Sequence, residues 1–345
     1  MTPTRIAVIG AGAIGRTHID RIGRDGTLAL AAIADPTDAG KALANRLGVP
    51  WFSNHVDLLD AVRPQGAVVA TPNALHVSMA LDCLARGVAV LVEKPVADTL
   101  AEAQRLVDAQ ARTGVPVLVG HHRRHNPITR RARQLVDGGH LGQLVTANVM
   151  ATFYKPERYF DMAWRREPGG GPILINLIHE IDMLRYLCGE IATVQAVGSS
   201  GVRGFAVEDT AAAVLRFANG ALGTLVGSDT AVSPWCWDMC AGEQAQYPQQ
   251  AVRSHFITGT QGALSLPDLA LWQYRGERHW HAELTQQATR VHLSDPYAAQ
   301  LQHFAAVIQG SEAPLCSALD GLRTLQATLA VSEAARTGTP VSCTL

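Results

Sequence analysis

The chain has 345 residues, of which 47% are hydrophobic and 17% charged, and its formal net charge is −1. That length suffices for two domains with buried cores, and the near-zero charge argues against nucleic acid or an anionic membrane surface as a partner. No apolar run approaches the roughly 20 residues that span a bilayer, so no membrane association is expected. The six cysteines are scattered, which reads as reduced thiols. Met1 to Arg5 leads directly into an apolar segment without room for a signal peptide, and the expected localisation is cytoplasmic.

Residues 5–9 read as a short buried strand, followed by Gly10-Ala11-Gly12-Ala13-Ile14-Gly15 and a helix to about Gly23. Gly10 permits a tight turn, Gly12 lets the backbone approach a pyrophosphate, and Gly15 lets helix and strand pack closely. The amides of Ala13 and Ile14 then open the helix toward the phosphates. A second strand, 28–34, ends at Asp35, about 20 residues beyond the glycines. There a carboxylate accepts hydrogen bonds from a ribose 2′-hydroxyl and repels a 2′-phosphate. The expected cofactor is therefore NAD rather than NADP, although Asp35 also stands where it would cap the helix that follows.

Strands at 66–70, 88–92 and 115–119 alternate with helices at 74–86 and 99–113, the signature of a doubly wound parallel sheet. Thr71-Pro72-Asn73 follows one strand, with His76 just beyond, and Glu93-Lys94-Pro95 follows the next. In such sheets ligands bind at the carboxyl ends of the strands, which places Lys94 on the binding rim. The expected dinucleotide-binding domain is 1–122, with 123–345 forming a second domain.

In the second part, 144–153 reads as a strand and 173–187 as a helix carrying Asn176, His179 and Asp182. Segments 192–199, 210–217, 221–228, 255–259 and 269–274 read as β structure, and 296–309 and 318–336 as helices, the last with an apolar packing stripe. The stretch 235–248 is aromatic, polar and irregular, a candidate substrate-facing loop or subunit contact. Its cysteines, Cys236 and Cys240, lack the surrounding ligands of a metal site, and no metal is expected.

With these residues in view, the chain resembles the glucose-fructose oxidoreductase/inositol dehydrogenase/MocA family along essentially its whole length. The matching residues are Gly10, Gly12 and Gly15; Ala70-Thr71-Pro72-Asn73 with His76; Glu93-Lys94-Pro95; Gly120 with Arg123-Arg124 and Asn126-Pro127; Trp164-Arg165; Gly169-Gly170-Gly171 leading to His179 and Asp182; Glu208-Asp209-Thr210; and Phe217-Ala218-Asn219-Gly220. The resemblance implies an α/β architecture: a Rossmann domain followed by an α/β domain with a large, open, mostly antiparallel sheet that mediates homodimers or homotetramers. It also implies NAD(P)-dependent interconversion of a secondary alcohol and a carbonyl on sugars, cyclic polyols or their derivatives.

Oxidising an alcohol requires a hydride acceptor and a base for the hydroxyl proton. The resemblance places Lys94 and His179 at the reacting hydroxyl. His179 is expected to exchange the proton and Lys94 to hydrogen-bond and polarise the oxygen, with exchanged roles the alternative. Thr71, Pro72, Asn73, His76, Glu93 and Lys94 are expected at the nicotinamide end. Arg124, Trp164, Arg165 and Asn176 are expected at the substrate, with Tyr154 and Lys155 as further candidates, and His18 is expected to be structural. Relatives commonly carry Asp four residues before the histidine; here that position is Ile175, with Asn176 beside it. Two other readings keep the fold: a non-sugar substrate such as a cis-dihydrodiol or hydroxy acid, and a catalytically silent dinucleotide-binding regulator.

Overall fold

The structure is a computed structural model and describes residues 2–343. The chain divides into two compact units, one running to His125 and taking in Ser294–Leu325, the other formed by Asn126–Leu293 and the residues from Gln326 onward. The expected boundary near residue 122 did not include the return of 294–325 to the first unit.

The first unit is built on six parallel strands, β1 (Thr4–Ile9), β2 (Leu28–Ala34), β3 (Trp51–Phe52), β4 (Gly66–Val69), β5 (Ala89–Val92) and β6 (Val117–Val119), in the order β3-β2-β1-β4-β5-β6. Their apolar runs are almost wholly buried, as parallel strands covered on both faces require. The strand order reverses between β1 and β4, which is where such sheets open a ligand crevice. The helices Asp38–Leu47, His55–Val62 and Leu100–Thr113 start at side-chain caps from Thr37, Asn54 and Thr99. Helix Ala13–Arg24 starts instead at Gly12, whose lack of a side chain leaves the first-turn amides uncapped.

The return of 294–325 has a steric basis. Helix Pro296–Ile308 lies so close to β4 that a Cβ on Gly66 would stand 2.6 Å from the Ile308 side chain and 2.9 Å from Phe304. The Val119 amide donates to the Cys316 carbonyl at 2.8 Å, and Tyr297 stacks on His122 with ring centroids 4.2 Å apart. These contacts link residues distant in sequence, so local pattern carried no trace of them.

Among the described residues the second unit holds nine strands: β7 (Leu144–Thr152), β8 (Ile191–Ser199), β9 (Thr210–Phe217), β10 (Leu222–Ser228), β11 (His255–Gly259), β12 (Ala263–Leu266), β13 (Ala270–Tyr274), β14 (Leu284–Ala288) and β15 (Val341–Ser342). Their order is β14-β13-β12-β11-β7-β10-β9-β8-β15, antiparallel except for the β7–β10 pair. One face is covered. Ala147, Val149, Ala213, Leu215, Leu225 and Ile257 pack there with Ile128 and Leu135 of helix Pro127–Asp137 and Ile181 and Leu184 of helix Ile178–Cys188. The alternate residues Val197, Val214 and Phe256 are exposed.

The helix expected over 173–187 is a π-helical turn, Ile173–Leu177, continuing as the α-helix Ile178–Cys188. Such turns are often found at functional sites. Leu177 presses on β10, where a Cβ at Gly227 would stand 2.5 Å from it, and this fixes the turn bearing Asn176. The stretch read as irregular contains a short helix, Trp237–Cys240, and is anchored: Trp237 is fully buried and donates to Glu243 at 2.8 Å.

Replacing Gly15 by Ala would drive a Cβ into the Gly10 carbonyl oxygen, where helix and β1 meet. Gly15→Ala is expected to destabilise the chain by about 1–3 kcal/mol, read from the midpoint of urea unfolding.

Candidate active site

Gly10 leaves β1 at φ 94°, a left-handed conformation suited to glycine, and a Cβ there would stand 2.6 Å from the Ala70 carbonyl oxygen. Gly12 and Ala13 are exposed and Ile14 half-buried, and nothing lies within 4 Å of a Cβ built on Gly12. The turn therefore offers open backbone amides at a helix N-terminus, which suit a pyrophosphate.

Asp35 stands at the end of β2 with its carboxylate turned to this turn. Oδ2 accepts the Ala11 amide at 2.6 Å, and Oδ1 accepts the Thr37 amide at 2.9 Å and its hydroxyl at 2.5 Å. Burial pushes this carboxyl upward, but the donors from Thr37 and Ala11, with Arg16 nearby, outweigh it and hold it below the usual range. An ionised carboxylate has about four acceptor sites. Three are used, and the remaining one leaves Oδ2 able to accept a ribose hydroxyl.

Thr71-Pro72-Asn73 follows β4 and enters a 3₁₀ turn, Asn73–Leu75. His76, buried, lies within 2.8 Å of both the Thr71 and Pro95 carbonyl oxygens, so its ring bridges the two rim segments. Burial is the largest influence on that imidazole and pushes it below its usual value, against the pull of the two carbonyls.

Lys94 follows β5 half-buried, and the Lys94–Pro95 peptide is cis. Glu93 turns inward. Its carboxylate meets His18 Nε2 at 2.7 Å and accepts the Lys94 amide at 3.2 Å. A Cβ on Gly120 would crowd it at 2.9 Å. Although burial alone would raise this carboxyl, the His18 hydrogen bond and the charges of His18, Lys94 and His122 hold it below its usual range. Glu93 thus supports the rim from beneath, and His18 is structural in the sense that it completes this pair. Arg124 is buried, with one N–H on the Leu315 carbonyl at 3.0 Å and Asp320 at 3.4 Å, so part of its guanidinium binds the returning segment.

In the second unit, Asn176 and His179 lie three residues apart and both are half-buried. Glu208 accepts the Ile173 amide at 3.0 Å at the start of their helical segment, and burial pushes its carboxyl upward. Asn176 accepts a hydrogen bond from Lys155 Nζ at 2.7 Å. Lys155, only a further candidate from sequence, is 5% exposed, and burial lowers its ammonium to about 8 despite Asp229 at 3.6 Å. Arg165 lies with its guanidinium 3.9 Å from the Tyr159 ring centroid, whereas Trp164 is largely exposed. The only sequence signal for Lys155 was a cation just past a strand end. Trp235 and Cys240 border a cleft of about 730 Å³ with Arg253, Phe256 and Asp268. Burial pushes the Cys236 thiol up to about 12, and no group of three metal-ligating side chains occurs among the described residues.

A Rossmann sheet with an open glycine turn, an acidic residue closing β2 and a lysine on the carboxyl rim defines a dinucleotide-dependent oxidoreductase. Residues 4–121 match the family model described as "Oxidoreductase family, NAD-binding Rossmann fold", and residues 129–265 match the "GFO/IDH/MocA C-terminal domain". The chain is 31% identical over 349 residues to an inositol 2-dehydrogenase of Ralstonia nicotianae, covering 97% of this chain and 94% of that protein. It is 30% identical over 200 residues to the rhizopine catabolism protein MocA of Rhizobium meliloti, over 58% of this chain and 62% of that protein's length. Among solved structures, the WlbA dehydrogenase from Bordetella pertussis, in complex with NADH and UDP-GlcNAcA, superposes with a TM-score of 0.80 at 24% identity over 99% of each chain. The chain belongs to the Gfo/Idh/MocA oxidoreductase family, and its first unit is that family's NAD-binding domain.

Glu93→Gln is expected to destabilise the fold by about 1–3 kcal/mol at neutral pH by weakening the buried pair. Because the Glu93 carboxyl is depressed in the folded state, its stabilisation is present above the ordinary value of 4.5 and is lost as pH falls through the folded value. The difference from wild type in urea unfolding should therefore shrink progressively below about pH 4.5.

Proposed function

We propose that this chain catalyses NAD-dependent oxidation of a secondary hydroxyl on a sugar, cyclic polyol or related hydroxylated ring, or the reverse reduction. The observation that carries this reading is Lys94, which follows Glu93 at the carboxyl end of β5, on the same rim as the turn that follows β1, in a chain of this family. The names of the inositol dehydrogenase relatives support a polyol-like substrate.

In this reading the amides of Gly12, Ala13 and Ile14 hold the pyrophosphate, Gly10 and Gly15 shape the turn, and Asp35 accepts the ribose hydroxyl and disfavours NADP. Thr71, Pro72, Asn73 and Lys94 border the nicotinamide end, with Glu93 and His76 setting their positions from beneath. Bound NAD supplies the hydride acceptor. Lys94 donates a hydrogen bond to the substrate oxygen and favours its negative character. His179 exchanges the hydroxyl proton, a task suited to imidazole because that ring ordinarily titrates near neutrality. Asn176 binds substrate beside His179, and Trp164, Arg165 and Arg124 complete the substrate contacts. The exposed strand face that includes Val197, Val214 and Phe256 fits a homodimer or homotetramer contact. All six cysteines are thiols, which fits a reducing, cytoplasmic setting.

The test is NADH absorbance during a screen of polyols and sugars. Lys94→Ala and His179→Ala are each expected to lower kcat by about 100-fold or more. Turnover retained in His179→Ala but lost in Lys94→Ala would exchange the two roles. NADH binding without turnover of any hydroxylated ring would count against the dehydrogenase reading. Asp35→Asn is expected to narrow the preference for NAD over NADP by about 10-fold in kcat/KM, since it removes the charge that repels a 2′-phosphate.

A further inference from the structure

The polar groups around Asn176 have an unusual balance. Lys155 has only N–H donors, so its 2.7 Å contact requires the Asn176 amide to turn its oxygen toward the lysine. The amide nitrogen then faces away, and it has no hydrogen-bond partner among the described residues. Position 175 is an Ile, and beside it stands an amide that presents N–H donors.

Arg165 extends the pattern. Its Nη1 donates to the Tyr159 carbonyl at 2.6 Å, but its Nε is buried with no hydrogen-bond partner, and among the described residues no carboxylate lies within ion-pair distance of it. Lys155 Nζ lies 4.6 Å from the centroid of the same Tyr159 ring on which Arg165 packs. Asp229 is shared between two cations: its Oδ1 takes Arg203 Nε at 3.0 Å, and its Oδ2 pairs with Lys155 at 3.6 Å, which leaves Arg165 as the cation without a carboxylate. Arg203 is itself committed to the Lys155 and Asp229 carbonyls at 2.8 and 2.7 Å and to Glu157 at 3.0 Å. A buried cationic donor without an acceptor costs free energy that a bound acceptor would recover.

We propose that Asn176, Lys155 and Arg165 together bind a substrate carboxylate, so that the alcohol oxidised belongs to a sugar acid or polyhydroxy acid and not to a neutral ring. The inference rests on the dehydrogenase reading and narrows its substrate. A carboxylate presents acceptors only, which matches three donors of which two are cationic, and charge-assisted hydrogen bonds of this kind are about twice as strong as neutral ones. An Asp at position 175 would repel the same group, whereas Ile175 does not.

The test uses the full chain with NAD and probe pairs that differ by a carboxylate: glucose with glucuronate, galactose with galacturonate, and myo-inositol as a further neutral probe. The acids are expected to exceed their neutral partners in kcat/KM by on the order of 100-fold. Arg165→Gln should compress that ratio, chiefly by raising KM for the acid, and Arg165→Lys should restore part of it. Asn176→Asp, which puts a carboxylate where the amide stood, should shift the ratio toward the neutral partner. Equal or better turnover of the neutral sugars, or equal loss for both classes in Arg165→Gln, overturns the proposal. If neither class turns over, the dehydrogenase reading fails separately. Calorimetric titration of glucuronate against glucose into the NADH complex then still decides: acid-selective binding that weakens in Arg165→Gln supports the cluster, and its absence overturns it.

Discussion

A buried carboxylate holds the rim on which the proposed chemistry depends. Glu93 lies between His18 of the first helix, the Lys94 amide and Gly120 at the end of β6, so three elements converge on one side chain. Such a pair adds little net stability, because removing both charges from water offsets much of their attraction. Its consequence is geometric. With the carboxylate fixed beneath it, Lys94 leaves β5 in a defined direction, and His76 joins the Pro95 carbonyl to that of Thr71. Two loops that local sequence would leave independent become one rim.

The second unit repeats this logic with another buried carboxylate. Asp229 is a buried anion that holds Arg203, and Arg203 in turn binds the Lys155 backbone carbonyl and places that residue. Lys155 then orients Asn176 on the π-helical turn, which Leu177 seats against β10. Each unit therefore supports its candidate site residues through a buried ion pair. In both cases low exposure keeps those interactions free of water competition.

Much of the first unit was legible because its strands are short, buried apolar runs and its glycines have steric tasks that no other residue can perform. Gly10 needs its positive φ, and Gly15 tolerates no Cβ against the Gly10 carbonyl. Glu93 was read toward the cofactor but faces inward, because sequence places a residue at a strand end without saying to which side its carboxylate turns. The return of 294–325 was illegible for a related reason: the fit of Phe304 and Ile308 against Gly66 is a matching of surfaces more than two hundred residues apart.

The amino-acid sequence by itself determined the parallel sheet, the glycine turn, the acidic end of β2 and the lysine after β5, since these depend on local period and spacing, and its motifs carried the resemblance to the family. Only the tertiary structure decided which polar atoms are consumed and which remain. Lys155 and Asn176 are 21 residues apart, and only their contact shows that the amide oxygen is turned to the lysine and its donors face away. Hydrogen-bond polarity at a site is a property of pairs, and pairs distant along the chain exist only after folding.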